Sequence, residues 1–195
     1  MKIKNLIILL IITGSSLLLS QGKNQFIGVG YGTFSWGDSD LAQYTESPAP
    51  LVFEYSNMTS EYFGARISVW TMSSNWDYNL GDMSQLGASI DLLAKYPIHL
   101  ESLIPAIYGG AGLVYQTTKV ETNASTFGSF EAAEHKGYGI TYFFGAELII
   151  AGTVGIYSEF RGISSKVEDL DFSSSGVVIG AKVVGNNIGE RECYT

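Results

Sequence analysis

From residue 25 onward, apolar and polar side chains alternate with a period of two over short stretches, and polar or Gly-rich segments separate these stretches. Such alternation is the signature of β-strands whose two faces meet different surroundings. Eight strands are predicted, at 25–34, 51–57, 62–71, 85–95, 103–116, 138–150, 153–161 and 175–184. Within them Leu51, Phe53 and Tyr55 oppose Val52, Glu54 and Ser56. Phe63, Ala65, Ile67 and Val69 oppose Gly64, Arg66, Ser68 and Trp70, and Leu86, Ala88, Ile90 and Leu92 oppose Gly87, Ser89 and Asp91. The last two strands repeat the arrangement, with Val154, Ile156 and Phe160 against Tyr157, Glu159 and Arg161, and Val177, Ile179, Ala181 and Val183 against Val178, Gly180 and Lys182.

The connections alternate as well. Those at 35–50, 72–84, 117–137 and 162–174 are long, those at 58–61 and 151–152 are short, and 96–102, with Pro97, is intermediate. Long loops on one rim and short turns on the other describe an up-and-down barrel in an outer membrane, the short side facing the periplasm. The apolar set then faces lipid. The other face collects Glu54, Asp91, Glu147 and Glu159 with Arg66, Arg161 and Lys182, interleaved with small residues such as Gly28, Gly30, Gly110, Gly112, Gly145 and Gly155. In an eight-stranded barrel the bore is narrow enough for these side chains to fill it and pair. A soluble barrel of the lipocalin type would invert the two faces.

Three features narrow the class. Residues 1–22 read as a secretory signal peptide, with Lys2 and Lys4 before the apolar run of Leu6 to Ile12 and Leu17 to Leu19, and cleavage expected near 20–22. Beyond it no apolar run is long enough for a transmembrane helix, although 46% of the residues are hydrophobic and only 15% charged. Removal of the leader shifts the formal net charge from −8 to −10, which disfavours nucleic acid as a partner. Cys193 is the single cysteine, so no intramolecular disulfide is expected. The domain organisation expected is leader 1–22, barrel 23–185 and a periplasmic tail at 186–195.

The segments GGAGLVYQ (109–116), FFGAELII (143–150) and VGIYSEFRG (154–162) resemble the small outer-membrane β-barrel proteins, of the OmpX and OmpA-transmembrane-domain kind. In that family a Gly-rich fifth strand precedes a hairpin whose second strand carries an acid and an arginine two residues apart, here Glu159 and Arg161. The resemblance covers essentially the whole mature chain. It implies an eight-stranded antiparallel membrane barrel and says little about activity. Family members usually finish on an aromatic residue closing the last strand, whereas here the chain continues past Val184 to Tyr194 and Thr195.

The chemistry-bearing residues are sparse. His99 and His135 fall in connections on opposite rims, so they cannot join in a zinc site. His135 with Ser125, Ser129 and Glu134 is the one conceivable catalytic group, weighed against a solvated loop histidine. The sequons at Asn57 and Asn123 read as chance. Eleven acids stand in the outer loops: Asp38, Asp40, Glu46, Asp77, Asp82, Glu121, Glu131, Glu134, Glu168, Asp169 and Asp171. Only Lys119, Lys136 and Lys166 oppose them, an expected hydrated surface. Trp36, Tyr44, Trp76 and Tyr78 are candidate loop contacts for a partner or for the membrane interface. Phe26, Tyr31, Phe34, Phe53, Tyr55, Phe63, Tyr115 and Phe160 are candidate girdle residues. The expectation is a structural or surface-interaction protein of the bacterial outer membrane. It has lipid as its partner, no cofactor, no metal and no catalytic residue. The alternatives are a narrow channel, then a soluble ligand-binding barrel or a lipid-modifying enzyme.

Overall fold

A computed structural model of the chain describes residues 24–75, 81–122, 133–167 and 170–185. The segments expected to be leader and tail, the latter with Cys193, lie outside the described residues, as do Trp76, Tyr78, Ser125, Ser129 and the sequon at Asn123. So do four of the loop acids, Asp77, Glu131, Glu168 and Asp169.

The strands are β1 (Asn24–Trp36), β2 (Leu51–Met58), β3 (Phe63–Asn75), β4 (Gly81–Pro97), β5 (Leu103–Thr122), β6 (Ala133–Ile150), β7 (Val154–Val167), the two-residue β8 (Leu170–Asp171) and β9 (Ser174–Gly185). A short helix, α1 (Ser39–Tyr44), lies in the connection after β1. Each long strand pairs antiparallel with its neighbours in the order β6-β5-β4-β3-β2-β1-β9-β7, and a β6–β7 pairing closes the ring. Eight long strands thus form a barrel with no free edge, so every strand finds ladder partners on both sides. β8 only folds back on the end of β7, pairing Lys166 with Asp171 and Val167 with Leu170.

The two faces sort by chemistry. Leu92, Leu113, Ile179, Ile107 and Phe144 project outward and are 63–76% exposed, while Arg66, Asp91, Glu159 and Arg161 point inward at 0–2%. A contiguous apolar exterior of this extent is foreign to a water-soluble monomer, and the buried charges are foreign to an ordinary core. The soluble-barrel alternative requires the opposite placement. On β4 the apolar outward positions run from Leu86 to Tyr96, roughly 34 Å along the strand, and a tilt of about 40° makes a band roughly 26 Å tall. That is the height of a bilayer's hydrocarbon region as barrels meet it, about 25 Å.

Strands β3 to β7 run on beyond this band, and here the sequence reading needs correcting. Segments predicted as loop at 72–84, 117–137 and 162–174 are largely strand: β3 reaches Asn75, β4 begins at Gly81, β5 reaches Thr122, β6 begins at Ala133 and β7 reaches Val167. Their outward side chains there are polar, for example Ser84, Lys119, Glu134 and Lys166, while Met72, Met83, Gln85, Gln116 and Thr118 stay buried inside. Above the membrane both faces accept polar residues, so the contrast between faces fades although the ladder continues.

On the opposite rim the turns are tight. Ala151 and Gly152 both take positive φ, 50° and 66°, and Thr153 N–H donates to the Ile150 carbonyl at 3.1 Å, a type I′ reversal that matches strand twist.

Candidate functional site

The lumen is the place where the sequence concentrates chemistry, and its inward residues are stacked in layers. Nearest the short-turn rim lie Phe26, Met58, Leu93, Lys95, Tyr108, Glu147, Ile149 and Lys182; the middle holds Glu54, Arg66, Asp91, Phe143, Tyr157, Glu159 and Arg161. Above them Phe34, Val52, Trp70, Val114, Ile163 and Val178 form an apolar layer, topped by Trp36, Met72, Met83 and Phe172. The charges are therefore enclosed in the membrane-level half, under a core of the kind found in soluble proteins.

Two ion clusters result. In the larger, Arg66 Nε donates to Asp91 Oδ2 at 3.1 Å and Arg66 Nη1 reaches Glu159 Oε2 at 2.5 Å and Glu54 Oε2 at 3.4 Å. Arg161 Nε donates to Glu159 Oε1 at 2.7 Å and its Nη2 lies 3.4 Å from Glu54 Oε2. Ser89 Oγ donates to Asp91 at 3.1 Å, and the Arg66 guanidinium lies 3.5 Å from the Phe143 ring centre, a cation–π contact. Three acids and two arginines make this cluster formally −1. In the smaller, Glu147 is held between Lys95 and Lys182, whose ammonium groups lie 4.6 and 5.0 Å from the Phe26 ring centre. That cluster is formally +1, and together the two are neutral.

Lys95 is the member that sequence reasoning missed. It stands at the predicted end of a strand, yet it shares the parity of Asp91 and Leu93, so strict alternation over one more pair would have found it. The seven other network residues predicted from sequence all face the lumen in the structure. The cavity left between the clusters, bounded by Glu54, Arg66, Lys95, Tyr108, Glu147 and Lys182, measures about 10 Å³, room for no more than one water.

Small residues make this filling possible. A β-carbon on Gly30 would stand 2.5 Å from the Tyr157 hydroxyl, and one on Gly180 would stand 2.5 Å from the same ring, so the two glycines are the slot in which Tyr157 lies.

Several exterior expectations change. Trp36, taken as a loop contact, is the last residue of β1, paired with Ser174 and 6% exposed; its ring turns inward and covers the mouth. Phe26 and Phe34 are likewise inward and buried, because they share the parity of Gly28 and Gly30, so they are lumen residues and not girdle residues. Tyr31, Phe53, Phe63 and Tyr115 do face outward. Tyr44 ends α1 and is exposed. Asn57 is 1% exposed, out of reach of any modifying enzyme.

His135 is not in a loop: it lies in β6 opposite Thr118, half-buried, its ring 6.2 Å from that of Phe172. Glu134 points to the other face and pairs with Lys136 at 3.0 Å, so strand alternation separates the two residues that a catalytic group would need together. Among the described residues no three His, Cys, Asp or Glu side chains converge as metal ligands. Glu46, one of the loop acids, accepts from Asn75 Nδ2 at 3.0 Å while its N–H donates to the Asn75 carbonyl at 3.0 Å, tying the first outer connection to the end of β3.

No protein-family model and no curated protein matches the chain. Solved structures do. OprG of Pseudomonas aeruginosa superposes with a TM-score of 0.60 at 18% identity, over 86% of this chain and 98% of OprG. Ail, the attachment invasion locus protein of Yersinia pestis, gives 0.57 at 13% over 85% and 99%. The fold is that of the bacterial outer-membrane β-barrels. Neisserial surface protein A shares this outer-membrane barrel fold, with a TM-score of 0.51 at 16% identity over 82% of this chain and 95% of its own. Ail has also been solved in complex with the heparin analogue sucrose octasulfate.

Proposed function

We propose that the chain is an integral protein of the bacterial outer membrane whose barrel is a filled, non-conducting and non-catalytic platform, and whose outer loops and strand extensions carry its contacts. The observation that carries this reading is the inverted placement of side chains. A bilayer-height apolar band covers the outside of a bore occupied by two ion clusters and an apolar layer, with about 10 Å³ of space between the clusters. In this reading the rim with α1 and the extended strands faces outward from the cell, and Pro97 and the turn at 151–153 face the periplasm. The lumen network serves stability.

The kind of partner follows from charge. Among the described outer residues Asp38, Glu46, Asp82, Glu121, Glu134 and Asp171 stand against Lys119, Lys136 and Lys166, a surface unsuited to a polyanion such as the sulfated ligand of Ail. A cationic or neutral partner fits it better.

A narrow channel is the second reading, favoured by the charged middle layer. One preparation tests both. The mature chain folded in detergent should migrate differently before and after boiling, since closure protects every backbone hydrogen bond. In planar bilayers it should give no steady conductance. Reproducible ion-selective steps, altered by substitutions at Glu159 or Arg161, would establish the channel instead, and a soluble periplasmic monomer would end the membrane reading altogether.

A further inference from the structure

The barrel wall is not evenly studded. In one cross-strand row Phe63, Ala94, Gly109 and Phe144 are successive neighbours on β3, β4, β5 and β6, all facing outward, so two phenyl walls stand on either side of a floor made of a methyl group and a hydrogen. The next row outward is Ala65, Leu92, Ala111 and Tyr142, which continues the low floor at two of its four positions. The hollow measures about 700 Å³ beside Tyr62, Tyr96 and Ile107 and extends outward by about 570 Å³ along Ala65, Leu92 and Ala111. It is an open groove on the outer face of the sheet, lined almost wholly by apolar atoms.

Polar groups at the short-turn end of this hollow are specific in kind. Tyr62 and Tyr96 stack there, centroids 6.3 Å apart, at the level where amphipathic rings mark a membrane interface. Glu61, next to Tyr62, contacts Nε2 of His99, and both side chains are about half exposed. Glu101 is exposed in the β4–β5 turn that also holds His99, and among the described residues this rim presents no lysine or arginine to solvent.

We infer that this hollow is a phospholipid site: an acyl chain lies over Ala94 and Gly109 between Phe63 and Phe144, and Glu61 with His99 holds a zwitterionic headgroup that carries a primary ammonium. The carboxylate matches the ammonium and the imidazole the phosphate, each by a charge-assisted hydrogen bond. An anionic headgroup without an amine meets two carboxylates, and a quaternary ammonium has no N–H to donate. The inference rests on the membrane reading above.

The test uses the full mature chain, delipidated in detergent and titrated with phosphatidylethanolamine, phosphatidylglycerol or phosphatidylcholine of identical acyl chains, with retained lipid read by native mass spectrometry. The ethanolamine lipid should be retained roughly fivefold more than either other, the scale of one charge-assisted contact at a half-exposed site. Gly109→Leu should abolish retention. The nearest atoms to a β-carbon there are the Phe143 carbonyl oxygen at 3.1 Å and Phe144 Cβ and Cα at 3.6 and 3.8 Å, so the wall accepts the side chain with a small shift. Glu61→Gln, on an exposed turn, should keep the fold and erase the headgroup preference. Equal retention of all three lipids by a chain that shows the heat-dependent gel shift would overturn the site and leave the membrane reading intact. A dimer that Gly109→Leu dissociates would assign the hollow to a second copy and overturn it too. A chain that shows no gel shift and stays soluble would remove the membrane reading first.

Discussion

Trp70 lies across Gly87, its register partner on the neighbouring strand, so closely that a β-carbon on Gly87 would stand 2.3 Å from the indole Cε2 and Cζ2. The indole is 1% exposed and belongs to the apolar layer above the ion clusters. Gly87→Ala is therefore an overpacking substitution and should destabilise the barrel by about 1–3 kcal/mol, measured by urea unfolding from lipid vesicles. Trp70→Ala thins the same layer. If that layer is the seal, Trp70→Ala should admit measurable ion current in planar bilayers, and silence from a correctly folded variant would place the seal in the charged layer.

Glu159 accepts from both Arg66 and Arg161, whereas Arg161 is shared between Glu159 and Glu54. Removing Glu159 leaves Arg66 with Asp91 and Glu54 and Arg161 with Glu54, two acids balanced by two arginines, whereas removing Arg161 leaves three acids to Arg66 alone. Arg161→Ala should cost on the order of 3 kcal/mol, less where water reaches the gap, and Glu159→Ala should cost less than Arg161→Ala. The double variant should lose less than the sum of the two. Additive losses in thermal unfolding would show that the two residues do not act as a pair.

In the smaller cluster the asymmetry runs the other way. Lys95→Met leaves Glu147 with Lys182, a complete pair, but Glu147→Gln leaves two ammonium groups facing one another beside Phe26. Thermal unfolding should show Glu147→Gln as the more damaging change, by roughly 2 kcal/mol or more, because an orphaned buried charge costs more than a lost partner. Equal effects would mean that water already screens the cluster.

Ala151 holds a φ of 50°, a region that strains a β-carbon by about 1 kcal/mol. Ala151→Asn, with a residue that tolerates this region, should stabilise the turn by about 0.5–1 kcal/mol without altering the strands it joins. A lower unfolding midpoint would contradict the positive φ.

The Ser173 side chain first, and then its N–H donating to Asp171 Oδ1 at 2.9 Å, hold the Asp171 carboxyl below the usual aspartate range. A depressed carboxyl stabilises the folded turn above the unfolded pKa of about 3.9, and that contribution is lost as pH falls through the lower folded value. Hydrogen exchange at Ser173 should therefore be flat from neutral pH to about pH 5, beyond the intrinsic pH dependence, and protection should fall below about pH 4. Asp171→Asn should show no such step.

Most of the barrel could be read from alternation because the membrane makes one face apolar and the other not. Strands β2 and β9 are nearly as predicted for that reason: Phe53 and Ile179 face lipid, Glu54 and Lys182 do not. The failures occur where that contrast is missing. Ser73, Ser74 and Asn75 are polar on either face, so the continuation of β3 left no pattern to follow. Trp36 and Phe34 look like interface aromatics, and only their parity with Gly28 and Gly30 shows that they turn inward. Which charges pair across the bore depends on barrel register, and that is set by ring closure and not by any one segment.

The Arg66–Glu159 contact joins β3 to β7, strands four places apart in a ring of eight, and so spans the full diameter. Glu54 and Asp91 come with Arg66 from one arc, Glu159 and Arg161 from the other. An arc of β2, β3 and β4 alone carries two acids and one arginine, and β7 carries an acid and an arginine that face this arc across the bore only once the seam between β1 and β9 has closed. A half-assembled sheet in lipid is thus left with mismatched charges facing hydrocarbon, and intermediates with an open seam are penalised. Closure and neutralisation become one event: the pairing of β1 with β9 draws together charges that stand on β2, β3, β4 and β7.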